Sequence, residues 1–145
     1  MAGYHELIEG KVYIGGENGL LEALQKREIS DVYDLRDNGT RAEGFPDHVN
    51  RHHYPIVEHE NGQDASVQRA ILAISEAVSS GQTVYFHCAG GRNRTGTVAT
   101  GLLMELGVVS TVEEAENLAR EKRPDIYIKG AMREVLNRLY PPGAF

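Results

Sequence analysis

The chain has 145 residues, 41% of them apolar, which is enough for one ordinary hydrophobic core and too few for two full domains. Its 15 Lys and Arg against 21 Asp and Glu leave a net charge of −6, with no basic cluster interleaved with aromatic residues, so nucleic acid is not an expected partner. No apolar run approaches the roughly 18 residues of a membrane span, the N-terminal MAGYHELIEGK lacks the basic end and apolar core of a secretory signal, and one cysteine permits no internal disulfide. The expectation is one soluble domain over 1–145, without a membrane span, in a reducing cytoplasm.

Lys11 to Ile14 alternates and stops at Gly15-Gly16, a short strand and turn, and Asn18 to Arg27 places Leu20, Leu21 and Leu24 on one helical face. Ile29 to Leu35 predicts a second strand, closed by Arg36-Asp37-Asn38-Gly39, and polar Thr40 to Asn50 reads as a loop. A third extended piece is expected at Tyr54-Pro55-Ile56-Val57, with Pro55 suited to an edge or a strand end, before an acidic loop over Glu58 to Asp64. Val67, Ala70, Ile71, Ile74, Ala77 and Val78 share one face of a helix that stops at Gly81. Thr83 to His87, β-branched and aromatic, reads as the buried central strand.

Beyond it, Thr95 to Leu106 is apolar on most sides, as a helix buried under a sheet is, and Gly107 ends it. Thr111 with Glu114 makes a capping box for a helix carrying Val112, Ala115, Leu118 and Ala119. A last helix carries Met132, Val135, Leu136 and Leu139 and breaks at Pro141-Pro142. The fold class is α/β: a central, mostly parallel sheet of about four to five strands with helices on both faces.

Val84 to Gly96, VYFHCAGGRNRTG, carries the chemistry. A loop tied between a strand's end and a helix's start turns several backbone N–H groups toward one point, where the helix dipole also favours negative charge, and this is a phosphate seat. Cys88 begins it, where dipole and guanidinium both favour thiolate, so a nucleophile at neutral pH is expected. Arg94 follows six residues later, and its planar fork can hold two phosphate oxygens through a phosphoryl transition state. Gly90 and Gly91 permit backbone conformations that a Cβ would hinder.

His87-Cys88, five residues and Arg94-Thr95 resemble the HCxxxxxR[ST] signature of the cysteine-dependent protein tyrosine phosphatases, and HCAGGRNRTG is most similar to the compact dual-specificity group. The likeness extends to Tyr54-Pro55-Ile56, to Ser110-Thr-Val-Glu-Glu-Ala and to Arg123-Pro124-Asp125-Ile126. It implies a phosphatase-like fold and a phosphoric-monoester hydrolase that needs no cofactor or metal. Cys88 is then the nucleophile, Arg94 the phosphoryl clamp, and Thr95 the hydroxyl that eases thiolate departure when the phosphocysteine is hydrolysed. Ala89, Gly90, Gly91, Arg92 and Asn93 line the phosphate site, with Arg92 and Asn93 tuning specificity, while His87 orders the loop. The family's general acid is an aspartate about thirty residues before the cysteine; that register holds Glu58, with Glu60 and Asp64 on the same expected loop.

The implied substrate is a phosphorylated protein, through phosphotyrosine and also phosphoserine or phosphothreonine, or a small phosphomonoester. The alternatives are a phosphoinositide, inositol phosphate or RNA 5′-phosphate phosphatase, for which Arg92 is the only added loop cation, and a phosphate-binding pseudophosphatase module. Asp37 and Arg41 follow the second strand, where an Asn-Gly turn with solvated charges accounts for them more simply than a place in the site. His48, His52, His53 and His59 lack the Cys or carboxylate partners of a metal centre.

Overall fold

The computed structural model describes residues 3–57 and 63–142. In chain order it has β1 (Tyr4–Ile8), β2 (Val12–Gly15), α1 (Leu20–Lys26), β3 (Asp31–Asp34), β4 (Asn50–His53), α2 (Gln63–Ser79), β5 (Val84–His87), α3 (Arg94–Glu105), α4 (Val112–Lys122) and α5 (Gly130–Leu139). The strands form one sheet in the order β1-β2-β5-β3-β4, parallel except for the antiparallel β1–β2 pair. Val84–His87 is the central strand, buried at every residue.

Side chains alternate across a strand, and here that alternation sorts the core into two layers. Val12, Ile14, Tyr33, Val84 and Phe86 pack with residues of α2, α3, α4 and α5 on one face, whereas Tyr13, Val32 and Tyr85 pack with Leu20 and Ala23 of α1 on the other. Burying each large apolar side chain contributes roughly 1.5–3 kcal/mol, so this patterning fixes which way every strand faces. Helix α3 lies between α2 and α4 with Thr95 to Met104 all buried, which is why its sequence is apolar nearly all round. Thr111 caps α4 by accepting from Glu114 N at 3.1 Å, and its hydroxyl donates to Glu114 Oε1 at 2.9 Å, a variant of the expected box. Among the described residues no helix is long and apolar enough to cross a membrane.

Two strands differ from expectation. β1 lies in a stretch with only Leu7 fully buried, and it turns into β2 through Gly10 in a left-handed conformation (φ 68°), with Lys11 N donating to Ile8 O at 3.0 Å. The third extended piece is Asn50–His53 rather than Tyr54–Val57, a polar edge strand whose backbone pairs with β3; Ile56, just beyond, is buried and donates its N–H to Leu35 O at 3.0 Å. The register aligns Gly15, His87, Asp34 and His53 at one sheet edge. The loops that leave those strand ends therefore gather above the carboxyl edge, where open α/β sheets form their ligand sites.

Candidate active site

Residues 88–93 connect β5 to α3, and every carbonyl in that loop is bound by a donor from a surrounding group. Cys88 O accepts from His87 Nδ1 at 3.0 Å, Ala89 O from Glu17 N at 3.0 Å, Gly90 O from Arg123 Nη2 at 3.3 Å and Gly91 O from Arg123 Nε at 2.9 Å. Arg92 O accepts from Tyr127 N at 3.2 Å and Asn93 O from Thr97 N at 2.8 Å. In a trans peptide the C=O and the following N–H point opposite ways, and the described chain has no cis bond. Carbonyls held outward therefore turn the N–H groups of Ala89 to Arg94 inward, making a concave nest for an anion at the N-terminus of the twelve-residue α3.

Gly91 allows this turn. Its φ is +69°, and a Cβ there would lie 2.4 Å from Gly15 C and 2.5 Å from Gly16 N, against the end of β2. That Cβ would also lie 2.7 Å from Nη2 of Arg123, a residue only 2% exposed whose guanidinium donates to His5 Nδ1 at 2.9 Å as well.

Cys88 is 3% exposed, at the bottom of a cleft of about 350 Å³ lined also by Gly90, Arg92, Asn93, Arg94, Tyr127 and Lys129. A larger cleft of about 560 Å³, between the start of α4 and the end of α5, includes none of the loop. Buried Thr95 joins loop to helix: its Oγ1 accepts from Cys88 N at 2.9 Å and has one proton to give to Cys88 Sγ at 3.1 Å or Gly15 O at 3.2 Å. The one hydroxyl thus ties the sulfur to the end of β2 and to the start of α3. Arg94 stands on the first turn of α3 and reaches Ile56 O at 3.5 Å.

Below the loop, buried Asp34 accepts from Arg36 Nε and N at 2.9 and 3.0 Å, from Arg36 Nη2 at 2.8 Å and from Arg51 Nη2 at 2.6 Å. Burial alone would raise its pKa, but these bonds and nearby His87 prevail and lower it to about 2. Arg36 also pairs with Glu17, which supplies the donor to Ala89 O. Burial holds the His87 pKa below its ordinary value, opposed by the bond to Cys88 and by Asp34, so at neutral pH the ring is neutral and donates from Nδ1, and it is charged only on the acid side where Asp34 titrates.

The structure thus gathers His87, Cys88, Ala89, Gly90, Gly91, Arg92, Asn93, Arg94 and Thr95 into one loop and helix start. Asn93 is turned partly into structure, its Oδ1 accepting from Lys129 N at 2.8 Å. Glu58 and Glu60 lie outside the described residues. Asp64 opens α2, where Arg138 binds both its oxygens at 2.6 and 2.9 Å and lowers its pKa, an arrangement that opposes proton donation. Asp37 is exposed, and Arg41 lies over the Phe45 ring and pairs with Asp47, so neither lines the cleft. His52 binds Asp31 at 2.8 Å and His53 binds Arg36 O at 2.6 Å; the described residues contain no metal-binding group of three or more His, Cys, Asp or Glu.

Sequence reasoning missed Arg123, Tyr127 and Lys129. A signal existed for the last two: Ile126 and Ile128 are buried at 2%, so the alternating Ile126-Tyr127-Ile128-Lys129 has one face in the core and the other at the cleft.

The catalytic-domain model of the dual specificity phosphatases matches residues 12–138. The chain belongs to this phosphatase family. Among solved structures, the phosphatase domain is similar to Tk-PTP in its active form, at 26% identity and a TM-score of 0.77 over 94% of this chain and 95% of that one. It also shares the fold of a human DUSP28 variant (16% identity, TM-score 0.80, 95% and 94% covered) and of PTPMT1 in complex with PI(5)P (19% identity, TM-score 0.77, 95% and 94% covered). No curated protein sequence matches the chain.

Proposed function

We propose that this phosphatase works through a phosphocysteine, on phosphotyrosine and also on phosphoserine or phosphothreonine in proteins. Cys88 thiolate attacks phosphorus as the P–O bond to the leaving group breaks, and Glu58 gives that oxygen its proton. Water then attacks the phosphocysteine, with the same carboxylate taking its proton, and the thiolate departs toward the Thr95 hydroxyl. Arg94 and the inward N–H groups hold the phosphoryl oxygens through both steps.

The observation that carries this reading is the loop whose every carbonyl is bound from outside, with Cys88 at its base and Arg94 at its end. Its test is Cys88→Ser, which is expected to abolish turnover of an aryl phosphate while still binding tungstate. An active Cys88→Ser enzyme refutes the covalent step, and loss of tungstate binding with turnover retained refutes the seat.

Lys129 favours a second reading. With Arg92 it brings to two the cations that line the cleft besides Arg94, beside the exposed Tyr127 ring, which suits a substrate bearing an additional anionic group such as a phosphoinositide or inositol phosphate. Lys129→Ala then raises KM severalfold for an inositol phosphate and leaves a simple aryl phosphate little changed; equal effects on both count against it.

A further inference from the structure

β1 precedes the residues that match the family, which begin at 12, yet one of its side chains reaches the phosphate loop through a single intermediary. Arg123, directly after α4, donates from Nε and Nη2 to Gly91 O and Gly90 O at 2.9 and 3.3 Å and from Nη1 to His5 Nδ1 at 2.9 Å. Arginine has no acceptor, so the His5 nitrogen that faces it carries no proton and the neutral ring keeps its proton on Nε2. The guanidinium is a rigid planar fork, so an acceptor on one prong orients the other two.

We propose that His5 is a positioning residue for the phosphate loop: as a neutral acceptor it sets the plane of Arg123, and through Arg123 the Gly90 and Gly91 peptides whose carbonyls must stay outward. The proposal rests on the reading of that loop as the phosphoryl site.

The charged groups acting on His5 are Arg123 and Asp125, the latter 3.9 Å from Arg123 Nη2. Its cross-strand partner on β2 is apolar Ile14, and the neighbouring charges Glu6 and Lys122 act on each other. Burial first and Arg123 second hold the His5 pKa below its ordinary value, against Asp125. Acidification through that lowered pKa sets a second positive charge against Arg123 and removes its acceptor, so the loop loses its brace on the acid side.

The test compares the full chain with His5→Leu and His5→Gln from about pH 5 to about pH 8, reading tungstate affinity, kcat and KM on an aryl phosphate, and thermal melting. Loss of one hydrogen bond predicts tungstate binding weaker by about two- to tenfold in His5→Leu at neutral pH. His5→Gln, whose amide oxygen can accept from Arg123 but does not titrate, recovers most of that loss. The wild type converges on His5→Leu as pH falls, whereas His5→Gln keeps its advantage over both. The proposal is overturned by a His5→Leu protein that binds tungstate as the wild type does, by a wild-type to Leu ratio that is constant with pH, or by a Gln variant no better than Leu. If His5→Leu does not fold, the ratio of His5→Gln to wild type across the same range decides: a rise toward acid supports the brace, and a flat ratio overturns it. Absence of turnover in all three proteins counts against the proposed reaction, and tungstate affinity still reads the positioning role.

Discussion

Gly90 and Gly91 are indistinguishable in the sequence, but the structure assigns them different tolerances. Gly91→Ala places a Cβ 2.4 Å from Gly15 C and 2.5 Å from Gly16 N, both main-chain atoms that no rotamer change can move aside, in a residue whose φ is +69°. The left-handed conformation costs about 1–2 kcal/mol for alanine, and overpacking against fixed backbone typically adds about 1–3 kcal/mol. The sum of about 2–5 kcal/mol corresponds to a melting point lower by roughly 5–15 °C in a domain of this size. A Cβ on Gly90 meets nothing nearer than the flexible Arg92 side chain at 3.9 Å, so Gly90→Ala is expected to melt within a few degrees of wild type. Calorimetric or circular-dichroism melts of the two variants side by side measure the difference, with tungstate binding reporting the loop itself. Equal melting points, or tungstate affinity unchanged in Gly91→Ala, would refute the claim that the loop is pressed against the end of β2.

Three further outcomes follow from the site. Asp34 is held at a pKa of about 2 against an ordinary 3.8. Its ionic bonds are complete above the unfolded value and lost as pH falls through the folded one. They contribute about 2 kcal/mol that disappears between roughly pH 4 and pH 2, so urea midpoints should fall across that window in the wild type and fall less in Asp34→Asn. Thr95→Val keeps the side chain's shape but leaves buried Cys88 N without its acceptor and Sγ without a donor. It is expected to cost about 1–3 kcal/mol of stability and to slow phosphocysteine breakdown, so that a product burst appears in rapid-mixing traces of an aryl phosphate. Glu58→Gln should slow only substrates with poor leaving groups, while Asp64→Asn, which merely frees Arg138, should leave that dependence as it was; the reverse result would reassign the acid.

Most of the fold was legible because burial enforces patterning. The continuous β-branched and aromatic run of Thr83 to His87 and the stripes of α2, α4 and α5 are consequences of facing a core, and they identify themselves. β1 does not, since only Leu7 of its five residues is fully buried and its strand character comes from pairing with β2. β4 escaped for a related reason: Asn50–His53 lies at the sheet edge and none of its residues is fully buried, so backbone bonding to β3 alone holds it extended. At the site, the spacing from Cys88 to Arg94 was readable because a phosphate nest needs a short loop between strand and helix. Arg123 was not readable, because a buried arginine looks the same in a sequence as a solvated one until its partners, Gly90 O and Gly91 O, are brought to it from more than thirty positions away.

The donors that hold the loop's carbonyls come from Glu17, His87, Thr97, Arg123 and Tyr127, which span most of the chain. A fragment ending soon after Arg94 contains the whole signature and cannot shape it. The anion seat is thus a product of cooperative folding rather than of its own sequence: any lesion that loosens the sheet or α4 will be felt first as weakened grip on phosphate.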